Sequence, residues 1–589
     1  MTRRLFPVLI ALSCSLTSCA QSSNSSGQSA PQQIQTDKSG FTLQVGKPAP
    51  QPRASAQSAS SGSESATLAE ADRLLASGRS ADAQGQYQAV LHADPGSVPA
   101  AVGLARSLTL QQKFDEAHSV LDATLARHPD SSELFLTLGD LQFGEGKIVD
   151  AESSFVKAEN LKPSDPAAYL GLARVYRAAS LYRRAYDNMK RARELAPDNL
   201  AVQLLWFHSL PQQDQLPALE AYVNDPKLNP TVAGVLKNYL AGLKRNADAP
   251  EHACKLVSNV RETNTKLYAI ARAGTALGAS GLVVKVNNQD MHLALDTGAT
   301  GVLLGRAAAE RLGLQRLNYQ AIVGMGDSGQ AGGFTALAKR IRVGDLEFED
   351  CTVRVTDKAT PVTGQDGLIG TDVFSAYVID IDIPGAKLRL SPLPKRPEAA
   401  EAPASLMTQH DSQQFETEAP AAEKGKNPAP GALDLPKDAY VAPEMANWTK
   451  VFRFRNLLTV PTKVDNVGPM LFLVDTGSFS NVLSTQTARR LTQLRSDPAT
   501  HITGMSGSVG QVFRADKATL QFGRYEQANQ DVVTFDLANI SRTAGTDVAG
   551  ILGFNMLRIL QIKIDYRDGL VDFLYDPKRL PKQIKLNQE

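Results

Sequence analysis

The sequence predicts a multidomain chain: an α-helical solenoid followed by an all-β region of two similar lobes. Three observations carry this. Proline recurs every 34 residues, at Pro95, Pro129, Pro163 and Pro197, with alanine in phase at Ala83, Ala117, Ala151 and Ala185. Beyond residue 275 the apolar pattern changes from helical spacing to two-residue alternation. The tripeptide Asp-Thr-Gly then occurs twice, at Asp296-Thr297-Gly298 and Asp475-Thr476-Gly477. Each copy closes an apolar strand-like run, residues 291–295 and 470–474.

At 589 residues the chain is too long for one hydrophobic core. A net charge of +1 with 21% charged residues gives no electrostatic case for a nucleic-acid partner. Residues 1–19 read as a signal peptide: Arg3 and Arg4 precede an apolar stretch over 5–12, too short to span a bilayer. The following Leu16-Thr17-Ser18-Cys19 resembles a bacterial lipoprotein box, which implies lipidation at Cys19; Cys14 would truncate the apolar stretch. Gln21, rather than Asp, two places after Cys19 resembles an outer-membrane address, so the expected location is the periplasmic face of that membrane. Only Cys254 and Cys351 remain in the body of the chain. Export permits a disulfide between them, and two separate buried thiols fit the sequence equally. No third or fourth ligand lies near them, so neither metal nor cofactor is expected.

Residues 20–65 are rich in Ser, Gln, Gly, Ala and Pro and read as a disordered tether. Over 66–210 each phased alanine is followed four places later by a large residue, Tyr87, Leu121, Phe155 or Met189. Leu138-Gly139 and Leu172-Ala173 supply small-residue contacts in the first helices of the last two repeats. These positions resemble the tetratricopeptide repeat, in which small residues let two helices approach and proline ends the second. Leu204-Leu205-Trp206-Phe207 reads as a capping helix. Residues 211–275 read as a helical connector, 276–394 as the first β lobe, 395–445 as a disordered Pro/Ala/Glu-rich linker and 446–580 as the second β lobe. The solenoid is expected either to dock a protein partner or to act as a spacer.

The two lobes repeat the same landmarks in order. A glycine-rich turn, Gly324-Met325-Gly326 or Gly504-Met505-Ser506-Gly507, begins 28 or 29 residues after the aspartate. An apolar pair closed by glycine follows, Leu368-Ile369-Gly370 or Ile551-Leu552-Gly553, and each lobe ends in an alternating strand, 377–382 or 561–566. These residues resemble the retropepsin-like and pepsin-like aspartic proteases. The resemblance implies a bilobal fold in which Asp296 and Asp475 share one proton and activate a water, because two carboxylates about 3 Å apart cannot both ionise. It implies that Thr297 and Thr476 cross-link the loops, and that Gly298 and Gly477 permit close backbone approach. It further implies that Ser478 donates to Asp475, and that Gly324, Met325, Gly326, Gly504, Met505 and Gly507 form two flaps over a peptide. Asp366 and Asp372 flank the first apolar-Gly element, but Asn555 replaces Asp372 in the second half, so a shared catalytic role there is not expected.

The expected function is a membrane-anchored aspartic endopeptidase, with the repeats recruiting substrate or partner. The alternative is a non-catalytic envelope scaffold that binds peptide. A linker of about 45 residues reaches roughly 35–40 Å, which allows the lobes to pair within one chain or between two.

Overall fold

A computed structural model describes residues 56–579, apart from 211, 227, 229, 231, 232, 235, 238, 239, 242, 243, 245–252, 272–276, 320, 321, 323, 325–330, 358–363, 398–437, 505 and 506. The expectations for the signal peptide, Cys19 and residues 20–55 of the tether lie outside the described residues. The described residues divide into two compact units, residues 56–141 with 157–163, and residues 142–156 with those from 164 onward.

Each repeat proline follows the end of a helix, because it can neither donate to the turn before it nor pack beside it. The helices are α1 (Ala56–Ala76), α2 (Ser80–Ala93), α3 (Val98–Leu110), α4 (Phe114–Leu125), α5 (Ser132–Gly144), α6 (Ile148–Leu161), α7 (Pro166–Ala178), α8 (Tyr182–Leu195), α9 (Leu200–Ser209) and α10 (Gln212–Val223). Helix α1 begins within the segment expected to be tether, so helical structure starts about ten residues before position 66. Ala83, Ala117 and Ala151 are fully buried and Ala185 nearly so, beside buried Tyr87, Leu121, Phe155 and Met189. Close helix approach also falls at Gly103 and Gly171: a Cβ there would lie 2.2 Å from the Tyr87 ring and 2.5 Å from the Phe155 ring. In α9, Asn199 caps the N-terminus by accepting from Ala201 N at 3.0 Å, and Trp206 and Phe207 are buried.

The first lobe is built on β1 (Ala253–Leu256), β2 (Thr263–Ala271), β3 (Leu277–Val286), β4 (Gln289–Asp296), β5 (Val302–Gly305), β6 (Gln315–Tyr319), β7 (Gly333–Val343), β8 (Leu346–Thr356), β9 (Gly367–Gly370), β10 (Tyr377–Asp382) and β11 (Lys387–Pro392). Two of these strands correct the expected helical connector. β1 pairs with β8, and β2 pairs with both β3 and β11. The three-residue step between buried Leu267 and Ile270 imitates a helix; here it accompanies a strand whose register shifts between Ile270 and Ala271. Cys254 and Cys351 are disulfide-bonded across β1 and β8, closing a loop with a sequence separation of 97.

The second lobe repeats the plan with β12 (Thr449–Lys450), β13 (Phe452–Phe454), β14 (Leu457–Val464), β15 (Val467–Asp475), β16 (Val482–Ser484), β17 (Leu494–Ser496), β18 (Thr503–Gly504), β19 (Gly507–Ser508), β20 (Phe513–Phe522), β21 (Tyr525–Phe535), β22 (Gly550–Gly553), β23 (Leu560–Asp565) and β24 (Leu570–Tyr575). The lobes are joined by their closing strands. β10 pairs antiparallel with β23, placing Ile379 opposite Ile564 and Ile381 opposite Ile562, all four fully buried. This shared sheet makes the two lobes partners within one chain.

The linker is shorter than 395–445. Tyr440 N donates to Asp568 Oδ1 at 3.0 Å, and Ala442 and Met445 are buried. Arg396, at the other end of the linker, pairs with the same Asp568. Asp438 accepts from Arg183 N at 2.8 Å and Arg184 N at 3.2 Å, capping the first turn of α8. The last repeats therefore pack with the second lobe, and Arg453 donates to Tyr182 Oη at 3.0 Å.

Candidate active site

The apolar runs of β4 and β15 carry both aspartates to strand ends, where each strand runs parallel to the apolar-Gly strand. Asp296 lies in register with Gly370, and Asp475 with Gly553. In each lobe the next strand, β5 or β16, pairs antiparallel with that same strand and parallel with β8 or β21. The duplication read from sequence is thus a duplication of topology.

Four hydrogen bonds lock the two loops together. Thr297 N donates to Thr476 Oγ1 at 3.0 Å, and Thr476 N donates to Thr297 Oγ1 at 3.0 Å. Thr297 Oγ1 donates to Val474 O at 2.7 Å, and Thr476 Oγ1 to Leu295 O at 2.9 Å. The threonines are 0% and 2% exposed, so these bonds form out of water. Each glycine faces the opposite carboxyl: a Cβ on Gly298 would lie 2.8 Å from Asp475 Cγ, and one on Gly477 would lie 2.4 Å from Asp296 Oδ2. No residue larger than glycine fits between loop and carboxyl.

The carboxyls are oriented by main-chain donors. Gly298 N donates to Asp296 Oδ1 at 2.8 Å; Gly477 N and Ser478 N donate to Asp475 Oδ1 at 2.8 and 3.1 Å. Asp475 is 8% exposed and Asp296 partly exposed, and the two carboxyls lie within hydrogen-bonding reach of each other. Burial first, and then the Asp475 charge beside it, push Asp296 well above the ordinary carboxylate range; burial also raises Asp475. Such a pair binds one proton where isolated carboxylates bind none. The Ser478 hydroxyl does not donate to Asp475 as expected. It donates to Ser480 O at 3.2 Å, satisfied by its own loop, and only the Ser478 backbone N–H reaches the carboxyl.

The turns expected as flaps are described at their bases. Ile322 and Ala331 exchange backbone hydrogen bonds of 2.9 and 2.7 Å, beside Gly324. Gly504 pairs with Gly507 between β18 and β19, and Val509 N donates to Ile502 O at 2.9 Å. Met325, Gly326 and Met505 lie outside the described residues.

Three further contacts surround the apolar-Gly elements; Asp366 and Asp372 stand out in the sequence by position, whereas Tyr566 and Asn481 have no separate signal there. Asp372 Oδ1 accepts from Gly301 N at 2.7 Å and holds the loop after Gly298; in the second lobe Asn481 Oδ1 accepts from Gly553 N at 2.9 Å instead. The Tyr566 hydroxyl, fully buried, is 2.7 Å from Thr371 Oγ1, next to Gly370. Asp366 is tied to Arg311 at 2.6 Å and to His292 N at 2.9 Å, just before β9, at the opposite end of that strand from Gly370 and the dyad. No group of metal-ligating side chains occurs among the described residues.

The fold and this site define a two-lobed aspartic-protease-type body behind a helical-repeat region. Residues 282–373 and 460–556 match the aspartyl protease family model, and residues 74–139 match the tetratricopeptide repeat model. No curated protein matches the chain. Similar solved structures include an aspartic proteinase from Irpex lacteus, 11% identical with a TM-score of 0.32, covering 54% of this chain and 98% of that one. They also include a thermophilic TPR protein of Thermus thermophilus, 19% identical with a TM-score of 0.27, covering 31% and 99%. PilF of Pseudomonas aeruginosa is 16% identical with a TM-score of 0.25, covering 32% and 87%.

Proposed function

We propose that the chain is an aspartic endopeptidase that hydrolyses peptide bonds with a water activated between Asp296 and Asp475. The observation that carries this reading is the reciprocal enclosure of two carboxyls, each oriented by amides of its own loop and packed against the glycine of the other. The ionised member of the pair takes a proton from the water, while the protonated member hydrogen-bonds the scissile carbonyl and stabilises the charge developing there. The water attacks the carbonyl carbon directly, so no covalent enzyme intermediate forms. An extended substrate segment would pair by its backbone with the turns whose bases lie at Ile322–Ala331 and Ile502–Val509.

The signal-like segment and Cys19 support a lipid anchor at the periplasmic face of an outer membrane, and the repeats support recruitment of a protein substrate or partner. A statine-type peptide places a hydroxyl where the attacked carbonyl would stand. It is expected to block peptide cleavage at mildly acidic pH; cleavage unaffected by saturating inhibitor would exclude the dyad as its source.

A further inference from the structure

Strand alternation sorts the first lobe into two faces. Met291, Leu293 and Leu295 enter the main core with Leu304, Val353, Val355 and Ile369. Ala294 faces the other way, into a separate cluster with Leu303, Leu368, Ile322 and Ala331. Asp296, two residues beyond Ala294, shares that second face. Register carries the face outward from the dyad strand: Ala294 lies beside Leu368, Leu368 beside Leu303, and Leu303 beside Arg354 on β8. Arg354 alternates with core residues Val353 and Val355, so it lies on the face of the carboxyl and of the turn base at Ile322–Ala331.

Arg354 is half-buried and makes no hydrogen bond or ion pair among the described residues. Burial lowers its pKa, and the charge of Asp372 opposes that shift. Asp372 is the residue that holds Gly301, five places after Asp296, so the guanidinium lies near the active-site loop. A partly desolvated guanidinium without a hydrogen-bond acceptor is costly, and a planar carboxylate satisfies it with two parallel bonds.

The second lobe differs at this place. Val482 corresponds to Leu303, and its parallel neighbour on β21 is Val533, which packs into the apolar cluster of Leu473, Val482 and Ile551. Arg514, the antiparallel neighbour of Val533, is already engaged: its Nε donates to Asp497 Oδ2 at 2.7 Å and its Nη2 to Thr500 Oγ1 at 3.0 Å. The two halves of the site are therefore equivalent in topology and unlike in charge.

We propose that Arg354 is a specificity-determining residue that receives an acidic side chain of the substrate on the first-lobe side of the scissile bond. This rests on the endopeptidase reading above. The dyad is near symmetric, and Arg354 gives the substrate a direction across it.

The test uses peptide sets that differ only by Glu or Gln at successive positions on each side of the cleaved bond. The full-length protein is expected to cleave the Glu peptide with a kcat/KM about 10- to 100-fold above the Gln peptide at one position, on one side only. Arg354→Gln is expected to bring that ratio close to one, and Arg354→Glu to favour a Lys peptide at the same position, with unfolding midpoints reporting that both variants fold. A wild-type ratio near one at every position, or a Glu preference that persists in Arg354→Gln, would overturn the proposal. Binding of statine-containing Glu and Gln peptides by calorimetry is read in parallel. If no peptide is cleaved, the endopeptidase reading falls, while an Arg354-dependent Glu preference in binding still supports the recognition role and its absence overturns it.

Discussion

Thr297 and Thr476 exchange hydrogen bonds across the two lobes, each hydroxyl accepting the other's amide and donating to a carbonyl of the opposite strand. Removing one hydroxyl leaves a buried amide and a buried carbonyl without partners. Thr297→Val is expected to destabilise the chain by roughly 2–4 kcal/mol, and Thr297→Ser by less because it keeps the hydroxyl. Urea unfolding of both variants checks this; equal stability of Thr297→Val and wild type would show that the grip does not hold the lobes.

Gly477 has no room for a side chain, since a Cβ would stand 2.4 Å from Asp296 Oδ2. The carboxyl it meets is held by Gly298 N and cannot swing away without losing that bond. Gly477→Ala is expected to lower kcat/KM by about a hundredfold or more while the circular dichroism spectrum is kept. A variant with wild-type turnover would mean that carboxyl placement is not limiting.

The shared proton sets the pH dependence of activity. Burial and mutual repulsion raise Asp296 above the ordinary carboxylate range, so the singly protonated pair persists to higher pH than isolated aspartates allow. Activity is expected to follow a bell, lost at low pH when both carboxyls are protonated and at high pH when both are ionised. A profile of kcat/KM with a single limb would contradict one proton shared by two groups.

Asp547 makes a separate prediction, for stability. Burial raises its pKa from 3.8 to about 6; the Ser541 hydroxyl and Arg490 oppose the shift, while the charges of Glu145 and Asp536 add to it. The folded chain therefore holds this proton more tightly than the unfolded chain, and the associated stability is lost as pH rises from about 4 through 6. Asp547→Asn removes the charge. It is expected to be more stable than wild type by roughly 3 kcal/mol at pH 7.5, with the gain vanishing below pH 4. Unfolding at both pH values checks the sign; a gain independent of pH would exclude the carboxyl as its origin.

Much of this architecture was legible because it rests on short-range patterns. The 34-residue phase located the buried alanines and large residues of the repeats. The apolar runs before Asp296 and Asp475 placed both aspartates at strand ends in matching registers. What stayed hidden depends on contacts distant in sequence. β2 falls within the segment that reads as a helical connector, and only its pairing with β3 and β11 makes it a strand. The disulfide needed β1 beside β8. The Ser478 hydroxyl was assigned to Asp475 from residue type, whereas loop geometry turns it to Ser480 O. Arg354 shows its significance only when three strand registers are followed from Asp296.

The central claim is that Asp296 and Asp475 of one chain act on one water. The most direct measurement is the cleavage rate of a peptide substrate by wild type, Asp296→Asn, Asp475→Asn and an equimolar mixture of the two variants. Each variant is expected to lose at least about a thousandfold in kcat/KM, and the mixture to stay as inactive as its components, because the lobes pair within the chain. Cleavage retained by either variant would contradict the shared dyad, and recovery on mixing would contradict its assembly within one chain.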